Sequence, residues 1–165
     1  MKTEIYWIPE LCFGRLAVMA RPRAGDWLED EIKSWRVSGI NTVVSLLTPS
    51  EIRELGLEDE PKVCQNSQIE YISYPICDRQ VPASPTATIA IVREICIKLK
   101  LGKGVGIHCR MGIGRSALIA TCVLVNQGIT ANHAYEIIGK ARGIEVPDTE
   151  EQRNWVEFLA KNLKS

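Results

Sequence analysis

The sequence predicts an α/β fold, one domain over residues 1–165 with a central, mostly parallel sheet flanked by helices on both faces. Short β-branched or apolar runs alternate with longer segments whose apolar residues recur at helical spacing. Several of those longer segments open on a serine, threonine or aspartate suited to capping, and glycines or prolines punctuate the chain between them. No repeat or low-complexity linker divides the 165 residues, a length that supports one sizeable core.

In chain order, EIYWI (4–8) and GRLAVMA (14–20) read as short strands, and Asp26 is placed to cap a helix running to about Val37. NTVVSLL (41–47) is β-branched and apolar, a buried strand, and Pro49 then introduces a short helical stretch, SEIRELG. IEYISYPI (69–76) reads as a half-buried strand ending in CDRQVPASP, a loop by its prolines. Ser84 and Pro85 make an N-cap and first-position pair for a helix over 86–101. KGVGIH (103–108) is the next strand, and RSALIATCVLVNQ (115–127) the next helix, closed by Gly128. Thr130 and Thr149 start the last two helices, over 131–142 and 150–163.

Twenty Lys+Arg balance twenty Asp+Glu, so overall charge points neither to nucleic acid nor to an anionic membrane as a partner. The chain shows no apolar run of signal-peptide or membrane-spanning length, and the expectation is a cytoplasmic, monomeric protein without membrane insertion. Six cysteines without C-x-x-C pairs argue against a zinc site or a disulfide framework, and most read as small buried hydrophobes. No metal or other cofactor is expected.

The chemistry concentrates in VGIHCRMGIGRSAL (105–118), where a strand passes through a glycine-containing loop straight into a helix. Successive backbone N–H groups and the helix dipole converge there on one point, which favours an anion. Arg115 adds a planar guanidinium able to hold two phosphate oxygens at once. Cys109 sits at the entrance of the same nest, a setting that brings a thiol from about 8.5 into a range of roughly 3.5–7.5. Ionisation alone gains only about thirty-fold in nucleophile, whereas phosphate monoesters need accelerations of up to ~10²¹. The loop amides and Arg115 must therefore carry most of the barrier by stabilising the transferring phosphoryl group, while Cys109 attacks in line and Ser116 donates a hydrogen bond to the departing sulfur.

HCRMGIGRS resembles the H-C-x5-R-[ST] signature loop of the cysteine-dependent protein tyrosine phosphatase superfamily. The wider likeness, over roughly residues 40–159, is to its compact dual-specificity branch, close to the kinase-associated phosphatases. The resemblance implies Cys109 as nucleophile, phosphate bound by the segment Arg110, Met111, Gly112, Ile113, Gly114 and Arg115, hydrolysis assisted by Ser116, and His108 orienting the loop from behind. It also implies phosphorylated proteins as substrates. Asp78 lies 31 residues before Cys109, on the proline-bounded loop, at the spacing of that branch's general acid; Asp148 competes for the role, though a helix-start position suits it better as a turn residue. Arg110 and Met111 depart from the small or neutral residues common in the branch, and Ala117 stands where glycine is frequent. Arg110 either places an extra positive charge at the mouth, favouring acidic or multiply phosphorylated substrates, or is simply solvated.

Gln152 has two readings, a water-positioning glutamine or the fourth residue of a Thr149-x-x-Gln152 capping box, and the cap is preferred. Glu51 is expected to be exposed on its short amphipathic stretch, with orientation of Arg115 as the second reading. The rival functions are a phosphoinositide or other non-protein phosphomonoesterase, a rhodanese-like sulfurtransferase, and a non-catalytic phosphopeptide-binding module. The last two have no use for the full set Cys109, Arg115, Ser116 and Asp78.

Overall fold

The computed structural model describes residues 4–9, 14–144, 146 and 149–163. Strands β1 (Ile5–Ile8), β2 (Arg15–Ala20), β3 (Thr42–Ser45), β4 (Glu70–Ser73) and β5 (Gly104–Cys109) form one sheet in the order β1-β2-β5-β3-β4. Only β1 is antiparallel to its neighbour; the other three pairings are parallel. Central β5 is buried along its whole length, as expected of a strand with parallel neighbours on both sides. Its Gly104 packs against a turn so closely that a Cβ there would lie 2.0 Å from the Gly39 carbonyl oxygen.

Helices α1 (Leu28–Ser38), α2 (Pro49–Leu55) and α3 (Glu60–Asn66) close one face, around Met19, Trp35, Val43 and Leu47. The other face carries α4 (Pro85–Lys100), α5 (Arg115–Asn126), α6 (Ala131–Arg142) and α7 (Glu150–Leu163), around Leu16, Val18, Ile107 and Leu118. Every residue of α5 from Arg115 to Val125 is buried, so this helix, enclosed all round rather than amphipathic, is the axis on which α4, α6 and α7 pack. Period-two alternation along β5 then sends Val105, Ile107 and Cys109 into the α4–α7 core and turns His108 toward Trp35 on the opposite face, their ring centroids 6.1 Å apart.

Two expectations are corrected. Asp26 caps no helix: it lies inside a 3-10 turn, Gly25–Trp27, and α1 follows with no side-chain cap at Trp27. Helix α3 has no counterpart in the sequence reading, because EPKVCQN offers only Val63 and Cys64 as apolar residues; Pro61 in its first turn was the available signal. The capping hydroxyls of Ser84 and Thr130 accept from the amides of Ala87 and His133 as expected. Cys64, Cys96 and Cys122 are buried, and burial pushes the Cys64 thiol, with help from Glu60, up to about 12 and that of Cys122 up as well. Cys77 is exposed. Cys12 and Asp148 lie outside the described residues.

Candidate active site

Strand β5 ends at Cys109 and α5 begins at Arg115, so residues 110–114 make the whole turn between them. Gly112 has φ +73°, and a Cβ there would lie 2.7 Å from the backbone carbon and oxygen of Met19. The loop thus rests on the end of β2, where the Arg21 amide also donates to the Arg110 carbonyl (3.4 Å). Gly114 then serves as N-cap of α5, its carbonyl accepting from the Leu118 amide (3.0 Å). Above the loop is a cavity of about 230 Å³, lined by Asp78, Arg79, Cys109, Arg110, Met111, Ile113, Gly114 and Arg115. Cys109 lines it with only 3 % of its surface exposed, and its Sγ donates to Ser116 Oγ at 3.4 Å.

Arg115 is 1 % exposed and held from several directions. Nη1 donates to Glu51 Oε1 (2.6 Å) and to the Ile76 carbonyl (2.7 Å), while Nη2 donates to Glu51 Oε2 (2.9 Å). This is a two-point fork between guanidinium and carboxylate, the geometry that fixes an arginine's plane. Glu51 is itself fixed by a capping box at the start of α2: the Thr48 amide donates to Glu51 Oε1 (3.1 Å) and the Glu51 amide to Thr48 Oγ1 (3.2 Å). Burial pushes the Glu51 carboxyl up, but Arg115, the Thr48 amide and Arg110 outweigh it and hold the group at about 2. Burial pulls Arg115 down, and Glu51, Cys109 and Asp78 together reverse that, leaving the guanidinium more firmly protonated than usual. The expectation of an exposed Glu51 is therefore wrong: the residue is 7 % exposed and carries Arg115, because Thr48 turns the first turn of α2 inward.

With the Nη1–Nη2 edge of the guanidinium on Glu51, it is Nη2 that also faces Asp78. Asp78 Oδ1 lies 3.2 Å from Nη2, and the Asp78 side chain is 57 % exposed on the rim. The next residue, Arg79, takes the left-handed conformation (φ +61°). Arg110 is neither a free charge nor simply solvated: its Nη2 lies 3.1 Å from Glu54 Oε2 and its Nε 3.4 Å from Glu51 Oε2. Met111 is exposed at the mouth.

His108 lies beneath the loop, its Nε2 2.6 Å from Glu60 Oε2, and neither side chain reaches solvent. Gln152 is buried and makes the capping box, its amide donating to Thr149 Oγ1 (3.1 Å) and its Oε1 accepting from the Thr149 amide (3.3 Å). Its Nε2 also donates to the Gln80 carbonyl (3.2 Å), which ties α7 to the loop that carries Asp78.

A family model described as "Polymorphic toxin system, DSP-PTPase phosphatase" matches residues 17–129. The chain belongs to this phosphatase family. It is 32 % identical to Protein tyrosine phosphatase domain-containing protein 1 of Mus musculus, over 67 % of this chain and 16 % of that one. It is 27 % identical to Putative tyrosine phosphatase 197R of Invertebrate iridescent virus 6 (96 % and 57 %) and 30 % identical to Cyclin-dependent kinase inhibitor 3 of Rattus norvegicus (80 % and 62 %). The chain spans less than two thirds of the length of these relatives. Among solved structures it resembles Tk-PTP in its active form, at 26 % identity and a TM-score of 0.76, covering 90 % of this chain and 92 % of that one. A kinase associated phosphatase with its catalytic-site cysteine substituted by serine shares the fold, at 21 % identity and a TM-score of 0.88 (100 % and 98 %).

Around the loop, the carboxylate of Glu60 escaped the sequence reading, and for Glu51 the second reading, orientation of Arg115, is the one the structure bears out. Glu51 left a signal, the T-x-x-E capping box that starts at Thr48. Glu60 left none, because its partner His108 is 48 residues away on another element.

Proposed function

We propose that the chain is a protein phosphatase that hydrolyses phosphotyrosine, and phosphoserine or phosphothreonine where they reach the pocket, through a cysteinyl-phosphate intermediate. The observation that carries this reading is the convergence of Cys109, a carboxylate-locked Arg115 and the rim carboxyl of Asp78 on one small cavity. Phosphate oxygens rest on the amides of residues 110–115 and on the Nε–Nη2 edge of Arg115, which hold phosphorus in line with Sγ. The S–P bond forms as the ester P–O bond breaks, and Asp78 gives its proton to the departing oxygen. Water then attacks phosphorus, Asp78 takes a proton back, and the S–P bond breaks with Ser116 hydrogen-bonded to the leaving sulfur. Gln152 supports Asp78 by holding the Gln80 carbonyl, and His108 supports the end of β5.

Substitution of Asp78 tests the acid role. Asp78→Asn keeps the shape and removes the proton, so the rate of phosphoenzyme formation falls by roughly 10²–10⁴ on phosphotyrosine peptides and far less on activated aryl phosphates, whose phenolates leave unaided. Equal losses on both substrate types contradict the assignment. A solved structure of similar fold, PTPMT1, is a complex with PI(5)P, and a phosphoinositide reading of this chain stands second. The pairing of Arg110 with Glu51 and Glu54 favours the protein reading, since carboxylates rather than spare cations border the mouth. Phosphopeptides turned over faster than phosphoinositides is the expected outcome. Residues 1–165 acting as one cytoplasmic, monomeric catalytic domain completes the proposal.

A further inference from the structure

A phosphate cradle of this kind works only if the peptide N–H groups of the loop point inward, which turns the matching carbonyls outward. Two of these, on Met111 and Gly112, are met by one side chain from a different element. Arg142, the last residue of α6, donates from Nη2 to the Met111 carbonyl (3.0 Å) and from Nε to the Gly112 carbonyl (3.1 Å). The guanidinium is backed in turn by β1, lying over the Tyr6 ring with its central carbon 4.2 Å from the ring centroid. The helix end is fixed as well: the amides of Gly143, in the left-handed conformation, and Ile144 both donate to the Gly139 carbonyl.

We propose that Arg142, held in place by Tyr6, is a positioning residue for the reaction: it locks the two peptide planes of the catalytic loop whose amides face the phosphate. Gly112 is where the lock is needed, because glycine carries the φ of +73° but leaves its peptide free to rotate. Two parallel N–H donors from one rigid plane hold both carbonyls outward together, which separate single donors do not. Arg142 touches neither Cys109 nor Arg115 among the described contacts, so it acts through the loop. The inference rests on the proposed use of that loop as a phosphate cradle.

The test compares Arg142→Ala, Arg142→Lys and Tyr6→Leu with the parent, reading kcat/KM on a phosphotyrosine peptide, inhibition by orthovanadate, and the thermal midpoint. Inorganic phosphate binding is read separately on the Cys109→Ser form with and without Arg142→Ala, from the amide resonances of Gly112 and Ile113, which share their peptide planes with the Met111 and Gly112 carbonyls. Arg142→Ala is expected to lose roughly 10–100-fold in kcat/KM and to weaken orthovanadate and phosphate in parallel, the scale of a misplaced reacting geometry. Millimolar guanidinium ion restores part of the loss, Arg142→Lys stays well below the parent, and Tyr6→Leu falls in between. Lys140→Ala, which removes a neighbouring cation of α6, changes none of these. Arg142→Ala with kcat/KM and anion affinity within twofold of the parent overturns the proposal, as does a loss that follows the thermal midpoint and ignores guanidinium. If Arg142→Ala does not fold, Tyr6→Leu decides, and unaltered anion affinity there is contrary. Failure of the Cys109→Ser protein to bind phosphate at all overturns the cradle reading and this inference together, whereas binding that is indifferent to Arg142 overturns this inference alone.

Discussion

At the scale of single residues, the loop from Cys109 to Arg115 was legible because its chemistry is local: thiol, glycines, arginine and hydroxyl lie within eight positions and between two apolar runs. What Arg115 leans on appeared only as a second reading. Its carboxylate partner Glu51 is 64 residues distant, and a glutamate on a short helix reads as solvated until the fold turns it inward. Two predictions belong here. Gly112→Ala forces a side chain into the left-handed region and onto the Met19 backbone, a position with no slack because the atoms it meets are main-chain atoms of β2. The backbone term alone costs about 1–2 kcal/mol. A lower unfolding midpoint and a loss of activity of at least roughly 10² are expected; wild-type activity in that variant contradicts the loop geometry. The second concerns pH. The Glu51 carboxyl titrates at about 2 in the folded chain against an ordinary value of 4.5, so the pair contributes fully above pH 4.5 and its contribution is lost as pH falls toward 2. Denaturant unfolding of the parent and of Glu51→Gln therefore shows a stability gap that narrows across that window, and a gap independent of pH contradicts the ion pair.

Among the secondary-structure elements, caps and punctuation located most boundaries, since Ser84, Thr130 and Thr149 each bond the backbone of the helix they start. Helix α3 was invisible because seven residues with two apolar side chains carry no period. Its role is nonetheless specific, for it delivers Glu60 to His108 across the face of the sheet opposite Cys109. Glu60 Oε1 and His108 Nδ1 have no hydrogen-bond partner among the described residues, so the single contact between Oε2 and Nε2 is what compensates both buried side chains. Glu60→Ala leaves the imidazole uncompensated beside a small void, and a destabilisation of about 2–4 kcal/mol is expected from the lost hydrogen bond and the lost packing. The urea midpoint measures it, at unchanged slope. A change under about 0.5 kcal/mol is the contrary result, marking the pair as dispensable to the fold.

For the molecule as a whole, alternation of strands and helices foretold the layers, and the candidate site lies beyond the carboxyl end of β5, where parallel sheets generally bind ligands. The strand order β1-β2-β5-β3-β4 was beyond a reading of local pattern, because it depends on which apolar faces meet once α5 is buried. That order makes β5 central, and a central strand is what allows α1 and α3 to brace His108 at its end while α2 and the Asp78 loop brace Arg115 at the start of the helix that follows. The proposed mechanism runs through a covalent step at Cys109, and rapid acid quenching of the Asp78→Asn form with an activated aryl phosphate, whose phenolate leaves without an acid, followed by mass mapping of the chain, tests it most directly. One phosphoryl group on the peptide that contains Cys109, absent when Cys109→Ser is added, is the result predicted. Turnover retained by Cys109→Ser, or a phosphoryl group carried by any other residue, contradicts the account.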